Sequence, residues 1–308
     1  MIKRILQGIL LVLAVSFLVF ALMYMMPGDP IDIVTDAKVS AEKKAEMAHE
    51  LGYDLPFLVQ YKNWLVDVIH LDFGTSLRYK TPVWEMMSAR VPYSLRLCGL
   101  SMLLELIISL PIGLICAVRR NKFFDRFTVN FTLLLSSIPA FWLGALAILI
   151  FAVRLKWVPI SGYSTWQNYL MPVITMTLGE IGGTIRITKT EVLDVLNEKY
   201  VTTAYAKGLP RKTVLVKHVL RNSLILVTTL VFMSIPWLIS GAVITEKIFG
   251  FPGMGNLLLN SIIQQDIPVV QAVLLVIAVL TVICNLISDL LMGLLDPRIR
   301  ESLSGGDN

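Results

Sequence analysis

Five stretches of this chain run for 22 residues or more with at most one charge in each. They are Ile5 to Gly28, Leu97 to Val118 with Glu105 inside it, Phe127 to Val153, Asn222 to Thr245, and Ile267 to Ser288. A helix needs roughly 20 apolar residues to cross the hydrocarbon core of a bilayer. A sixth candidate, about Tyr169 to Ile187, contains Glu180 and follows a loop-like stretch that begins at Trp157. Lipid offers no partner to backbone N–H and C=O groups, so spanning segments are helices or a closed barrel. Runs this long, without period-2 alternation, favour helices. At 56% hydrophobic and 16% charged, the chain also lacks the polar surface that its 308 residues would need as soluble domains. The expectation is an all-α membrane protein of six transmembrane helices, built as a single domain over residues 1–308. A signal peptide is the alternative for the first run. That run exceeds the usual 7–15 residues and lacks a small-x-small cleavage site, so it reads as a retained helix.

Charge sets the orientation, because cytoplasmic loops collect Lys and Arg. Lys3 and Arg4 precede the first run, and Arg119, Arg120, Lys122 and Arg126 face only Asp125 in the second connection. The segment 186–221 holds eight basic residues and three acids, whereas Pro27 to Tyr93 holds seven basic residues and ten acids. Both termini, the 119–126 loop and 186–221 therefore read as cytoplasmic. The 27–93 segment and the loops around Gly162 and Phe251 read as external. The basic pI near 9.1 is a topology feature and does not call for a nucleic-acid partner. Cys98 and Cys116 are too far apart on one helix for a disulfide. His49, His70 and His218 lack metal-ligand spacing. No Walker A loop and no Gly-x-Ser-x-Gly occurs.

Two segments stand outside the bilayer. In the external one, Ser40 to Leu51 reads as a helix with Ser40 as N-cap and Gly52 past its end. Phe57 to Leu71 reads as a second, with Phe57, Tyr61, Trp64, Leu65, Val68 and Leu71 on one stripe. This cap is a brace or a docking platform. On the cytoplasmic side, Val192, Leu193, Leu196 and Tyr200 carry the fourth helix past the membrane. Ala204 and Gly208 then lie four apart, on one face, and both lack bulk. Gly208-Leu209-Pro210 breaks the helix, and a second short helix runs from Arg211 to Arg221. An ordinary positively charged loop is the alternative to a docking knuckle here.

TAYAKGL…HVLRNSL, residues 203–224, resembles the cytoplasmic coupling motif of ABC importer permeases, in the form found in the dipeptide, oligopeptide and nickel permease family. PGDP at 27–30, LGYDLPFLVQYKNWL at 51–65, LDFGTS at 71–76, EKIFGFPGMGNLL at 246–258 and DLLMGLLDPRIR at 289–300 fit the same family in order. The resemblance covers nearly the whole chain. It implies the type I importer permease fold, with the external cap after helix 1, a coupling helix between helices 4 and 5, and a cytoplasmic tail over 296–308. It implies a second homologous permease subunit, two ATPase subunits and an extracytoplasmic solute-binding protein as partners, in a bacterial or archaeal plasma membrane. The chain would itself be non-catalytic and without cofactor, with ATP and Mg bound by the ATPase partners. Thr203, Ala204 and Gly208 match the coupling motif. Thr202 stands where the general motif carries its acid. Lys207, Arg211 and Lys212 are the expected contacts to an acidic partner rim. Peptides, nickel or a metal chelate are the implied cargoes; GYSTWQN at 162–168 looks somewhat like the nickel-type members.

Carboxylates inside spans are costly and mark a partner or a pathway. Glu180, beside Gly179, Gly182 and Gly183, could meet a cationic substrate group, and Glu105 shares that candidacy. For both, the alternative is hydrogen-bonded interhelical glue. Asp289 reads as structural. Met23, Met25 and Met26 near the external mouth read as filler, with soft-metal handling as the alternative. The rival from another class is a self-contained secondary carrier, which would often show two matching halves with broken helices. None are visible here.

Overall fold

The computed structural model describes residues 2–25, 31, 39–50, 52–223, 235 and 242–295, the side chains of 2, 3 and 291–295 excepted. PGDP at 27–30, most of the fifth expected span and the 296–308 tail lie outside the described residues. Among the described residues the structure is helical, with no strand beyond one isolated bridge, Thr75 to Pro82.

The chain forms two compact units, one holding Leu95–Phe251 and Cys284–Asn308, the other Ile2–Ser94 and Pro252–Ile283. The second unit contains α1 (Ile2–Tyr24), α2 (Ala41–Glu50), α3 (Phe57–Ile69) and α4 (Val83–Ser88). It also holds the start of α5 (Val91–Val118), all of α12 (Met254–Ile263) and the start of α13 (Ile267–Leu295). Both expected cap helices are present. Ser40 caps α2, its Oγ accepting the Lys43 N–H at 3.4 Å, and Gly52 follows in the left-handed region at φ 71°. The amphipathic stripe of α3 lies against the second half of α1. Phe57 meets Phe17, Phe20 and Tyr24 at 5.0–5.6 Å between ring centroids, and Tyr61 and Trp64 meet Phe20 at 5.5 Å. Edge-to-face pairs of this kind stabilise beyond their buried area. Leu71 departs from the expected stripe: it lies past the end of α3 at φ 63° and is exposed.

Asp266 organises this unit and was not singled out from sequence. An Asp before Ile-Pro at a helix start reads as an ordinary N-cap. The carboxylate is fully buried and accepts Ser76 Oγ at 2.5 Å and the Leu77 N–H at 3.0 Å. Arg78 Nε adds a bond to the Gln264 carbonyl at 2.9 Å, so the LDFGTS loop is latched to the start of α13. Asp266→Ala would leave two buried donors without their acceptor. Hydrogen bonds to charged groups contribute about 1.5–3 kcal/mol each, so a loss on the order of 3 kcal/mol is expected. Thermal unfolding of the purified subunit measures it; an unchanged midpoint would exclude the latch.

The other unit carries the rest of α5, α6 (Phe123–Ser136), α7 (Ala140–Ala147), α8 (Gln167–Leu196), α9 (Lys199–Ala206) and α10 (Arg211–Thr213). Wider i→i+5 turns extend α7 over Ile148–Arg154 and α10 over Val214–Leu220. A further helix, α11, covers 242–249. The expected third span, Phe127 to Val153, is not one helix. It breaks at 137–139, and the two helical pieces, Phe123–Ser136 and Ala140–Arg154, are bent by 92°. Pro139 is the cause: it has no N–H for the preceding turn and pushes the residue before it out of helical conformation. The fourth helix does run on past its expected span. Its 30 residues extend about 45 Å at 1.5 Å per residue. Three helices are long and apolar enough to cross a bilayer among the described residues, and the bent pair would supply a fourth.

Glycines let α8 close on its neighbours. A Cβ on Gly113 of α5 would fall 2.7 Å from the Thr188 Cβ, and one on Gly182 would fall 2.9 Å from the Thr132 Cβ of α6. The loop before α8 is held by Asn168. Its Oδ1 accepts the Thr165 N–H at 3.0 Å, and its Nδ2 donates to the Ser161 carbonyl at 3.0 Å. Those bonds give the GYSTWQN stretch a structural reason of its own.

Candidate functional site

The knuckle after α8 is a helix–turn–helix, as the residue pattern implies. α9 ends in a full C-terminal capping motif. Gly208 is left-handed at φ 76°, its N–H donates to the Tyr205 carbonyl at 2.9 Å, and the Leu209 N–H reaches the Ala204 carbonyl at 3.4 Å. Gly at this position carries no Cβ penalty and satisfies carbonyls the helix end leaves open. Pro210 then caps α10.

Ala204 and Gly208 do not form one shared outer face. Ala204 is buried, packed with Ala117, Val192, Val201, Val214 and Val219. Its small side chain lets α9 close on the base of α5 and α8. Gly208 is open, with nothing within 4 Å of where its Cβ would stand. Thr203 is exposed, its hydroxyl donating back to the Lys199 carbonyl at 3.0 Å. Tyr200 and Asn222 tie the two helices of the knuckle at 2.8 Å. Lys207, Arg211 and Lys212 are all exposed around the turn. Arg211 and Lys212 occupy the first turn of a helix, where the peptide dipoles are positive and cations are unfavourable. Helix stability therefore does not account for their placement.

A partly buried ion pair ties α6 to α8 two turns before the end of α8. Lys189 of α8 reaches Asp125 of α6 at 2.5 Å, and Asp125, only 2% exposed, also accepts the Asn121 N–H at 2.8 Å. In the sequence these two residues figured only in the charge census. Removing one partner of a buried pair leaves an uncompensated charge and costs about 3–5 kcal/mol. Lys189→Met is expected to destabilise by that order, and Lys189→Met with Asp125→Asn to recover most of it. Thermal unfolding of the single and double variants measures the difference; equal losses would remove the pair from the account.

The two candidate acids, Glu105 and Glu180, part company. Glu105 is buried on α5 and accepts a hydrogen bond from the Thr184 hydroxyl of α8, the arrangement expected of interhelical glue. Glu180 lies one turn before Thr184 on α8 and is exposed. Gly179 and Gly183 flank it with nothing within 4 Å of their Cβ positions, whereas Gly182 is the close-packing glycine. No group of three or more His, Cys, Asp or Glu able to hold a metal occurs among the described residues. The EKIFGFPGMG motif is anchored by buried Phe249 and Phe251, with Phe249 seated on Gly144.

The comparisons agree with this architecture. Residues 109–301 match the binding-protein-dependent transport system inner membrane component family, and residues 1–98 match the N-terminal family of such membrane components. The chain is 38% identical to the oligopeptide transport system permease protein AppB of Bacillus subtilis, over 97% of this chain and 98% of that one. It is 36% identical to the glutathione transport system permease protein GsiC of Salmonella typhimurium, over 97% of each. A putative peptide transport system permease protein of Brucella abortus is 35% identical, over 97% of this chain and 98% of its own. A multi-pass helical chain with an exposed basic knuckle, matched along nearly its whole length to such proteins, belongs to the binding-protein-dependent inner membrane components, the ABC importer permeases of the oligopeptide and dipeptide type.

Proposed function

We propose that this permease moves short peptides inward by alternating access, driven by two ATPase subunits at the cytoplasmic face, with the 186–221 segment as this chain's coupling lever. The observation that carries this reading is the knuckle's construction. A rigid apolar base fastens it to α5 and α8, and three cations surround an open, left-handed glycine. Such a lever transmits a push to a helix about 45 Å long. ATP and Mg belong to the partners, and this chain performs no catalysis. A second homologous permease completes the pore against the uncovered α8 face at Gly179, Glu180 and Gly183. A solute-binding protein delivers cargo to the external side. Six spanning helices, with both termini cytoplasmic, make up the type I arrangement.

The names of the relatives, oligopeptide, peptide and glutathione permeases, favour a peptide over nickel as cargo. Proteoliposomes provide the test. Uptake of a labelled tripeptide is expected only with both permeases, the ATPases, the binding protein and ATP present. Uptake by this chain alone, driven by an ion gradient, would replace the reading with a secondary carrier. Competition by nickel but not by peptide would reassign the cargo. Glu180→Gln is expected to raise the half-saturating peptide concentration about tenfold if the carboxylate meets a peptide ammonium. Unchanged affinity and rate would take Glu180 out of the path.

A further inference from the structure

The unit that contains the cap encloses a cavity of about 710 Å³. α1, α2, α3, the 72–80 loop and the start of α13 all contribute to it. That volume falls within the roughly 300–1,000 Å³ of small-ligand pockets. Its lining joins an aromatic wall to a run of polar and charged side chains. Trp64 belongs to the rigid ring cluster between α1 and α3. Asp67 and Asp72 line the cavity, and so does Lys80. Asp72 has given one oxygen to the Gly74 N–H at 2.8 Å, while no hydrogen bond or ion pair engages the Asp67 carboxylate or the Lys80 ammonium among the described residues. Asp54 also lines the cavity but is taken by His49 at 2.6 Å.

Gln271 is the second, independent observation. It is 5% exposed, lines the same cavity, and makes no side-chain hydrogen bond to a described residue. Its amide is not sealed in the core but opens onto the cavity, where a bound group could reach it. A carboxamide offers one acceptor and a donor pair, the complement of a peptide group. Nothing in the transport reading uses Gln271 or Asp67.

We propose that this cavity is an external binding site for a short zwitterionic peptide. The ammonium is held by Asp67 and Asp72, the carboxylate by Lys80, a peptide group by Gln271, and a side chain rests on Trp64. The site rests on the peptide reading for its ligand class. It would hold cargo at the external side before the pore opens.

The test uses the complete transporter in nanodiscs, without binding protein or nucleotide. It is titrated by calorimetry with Ala-Ala-Ala and with the same tripeptide acetylated and amidated at its ends. Saturable binding of the free tripeptide is expected. The doubly capped peptide should bind about tenfold more weakly, and Asp67→Asn and Gln271→Leu should each weaken the free peptide by about tenfold. Asp67 is exposed on α3, so its variant tests the site without disturbing a core. A flat wild-type titration would overturn the proposal, and so would equal affinity for free and capped peptide or wild-type affinity in both variants. ATP-driven uptake with the binding protein present separates the two readings. Uptake that persists with a flat titration removes the cavity site alone. Loss of all peptide uptake by the intact transporter removes the peptide reading itself.

Discussion

Gly208→Asp is expected to leave the protein in the membrane at near wild-type amount while lowering substrate-stimulated ATP hydrolysis by more than about tenfold. Gly208 holds a left-handed turn, and Asp tolerates that region better than most residues with a Cβ. Nothing lies within 4 Å of the added Cβ, so the cost to the subunit is limited to backbone strain of about 1–2 kcal/mol. The effect falls on the partner. A carboxylate would stand at the tip of a turn carrying Lys207, Arg211 and Lys212, and would face any acidic surface those cations serve. Burying like charges against each other costs several kcal/mol, enough to lose a docked complex. Co-purification of the ATPases and hydrolysis in nanodiscs measure it. Wild-type coupling in this variant would end the assignment of the knuckle as the docking lever. Gly208→Ala is the useful companion, since it adds backbone strain without charge. Most of the loss should be absent from it.

Gly182→Val is expected to destabilise the subunit itself, by about 3 kcal/mol, at the upper end of the usual cost of overpacking. The Cβ alone would stand 2.9 Å from the Thr132 Cβ and 3.1 Å from both the Thr132 carbonyl and the Ser136 hydroxyl. A backbone carbonyl cannot rotate away, so α6 and α8 would have to separate. Gly179→Ala and Gly183→Ala serve as controls, because their Cβ positions are open. Thermal unfolding of the purified subunit should show a loss for Gly182→Val only. In the assembled transporter the controls gain a meaning of their own. If the second permease covers that face, they should weaken its co-purification while leaving the lone subunit unaltered. A neutral Gly182→Val would mean that α6 and α8 do not close at this glycine.

Side-chain periodicity made much of this protein legible. The cap helices, the extension of the fourth helix past residue 187, and the break at Gly208-Leu209-Pro210 all follow from local rules of spacing, capping and backbone conformation. Those rules act within a few residues, so a single chain displays them. The family resemblance was equally legible, since it depends on motifs in order.

Other features depend on what a residue meets across the fold. Ala204 and Gly208 share a spacing and a lack of bulk, yet one is buried against Val214 and Val219 while the other stands in the open. Spacing places two residues on one helix face only while the helix continues, and Gly208 lies just past its end. Gly182 and its neighbours Gly179 and Gly183 look alike in sequence, and only the approach of α6 tells them apart. Glu105 and Glu180 were equal candidates until Thr184 was found bonded to the first. The 127–153 run reads as one span because hydropathy has no term for direction, whereas Pro139 turns the chain by 92°.

The sequence by itself determined that the chain is helical, belongs in a bilayer and carries a broken basic knuckle after its fourth long helix. Hydrophobic run length, charge asymmetry and the backbone chemistry of Gly and Pro are properties of contiguous residues. Tertiary structure alone decided that Asp266 latches a loop 190 residues away in sequence, that Asp125 pairs with Lys189, and that Gln271 stands on a cavity wall with no side-chain hydrogen bond among the described residues. A buried polar group takes its meaning from whichever atom lies within about 3 Å of it, and that atom is chosen by packing, not by position along the chain.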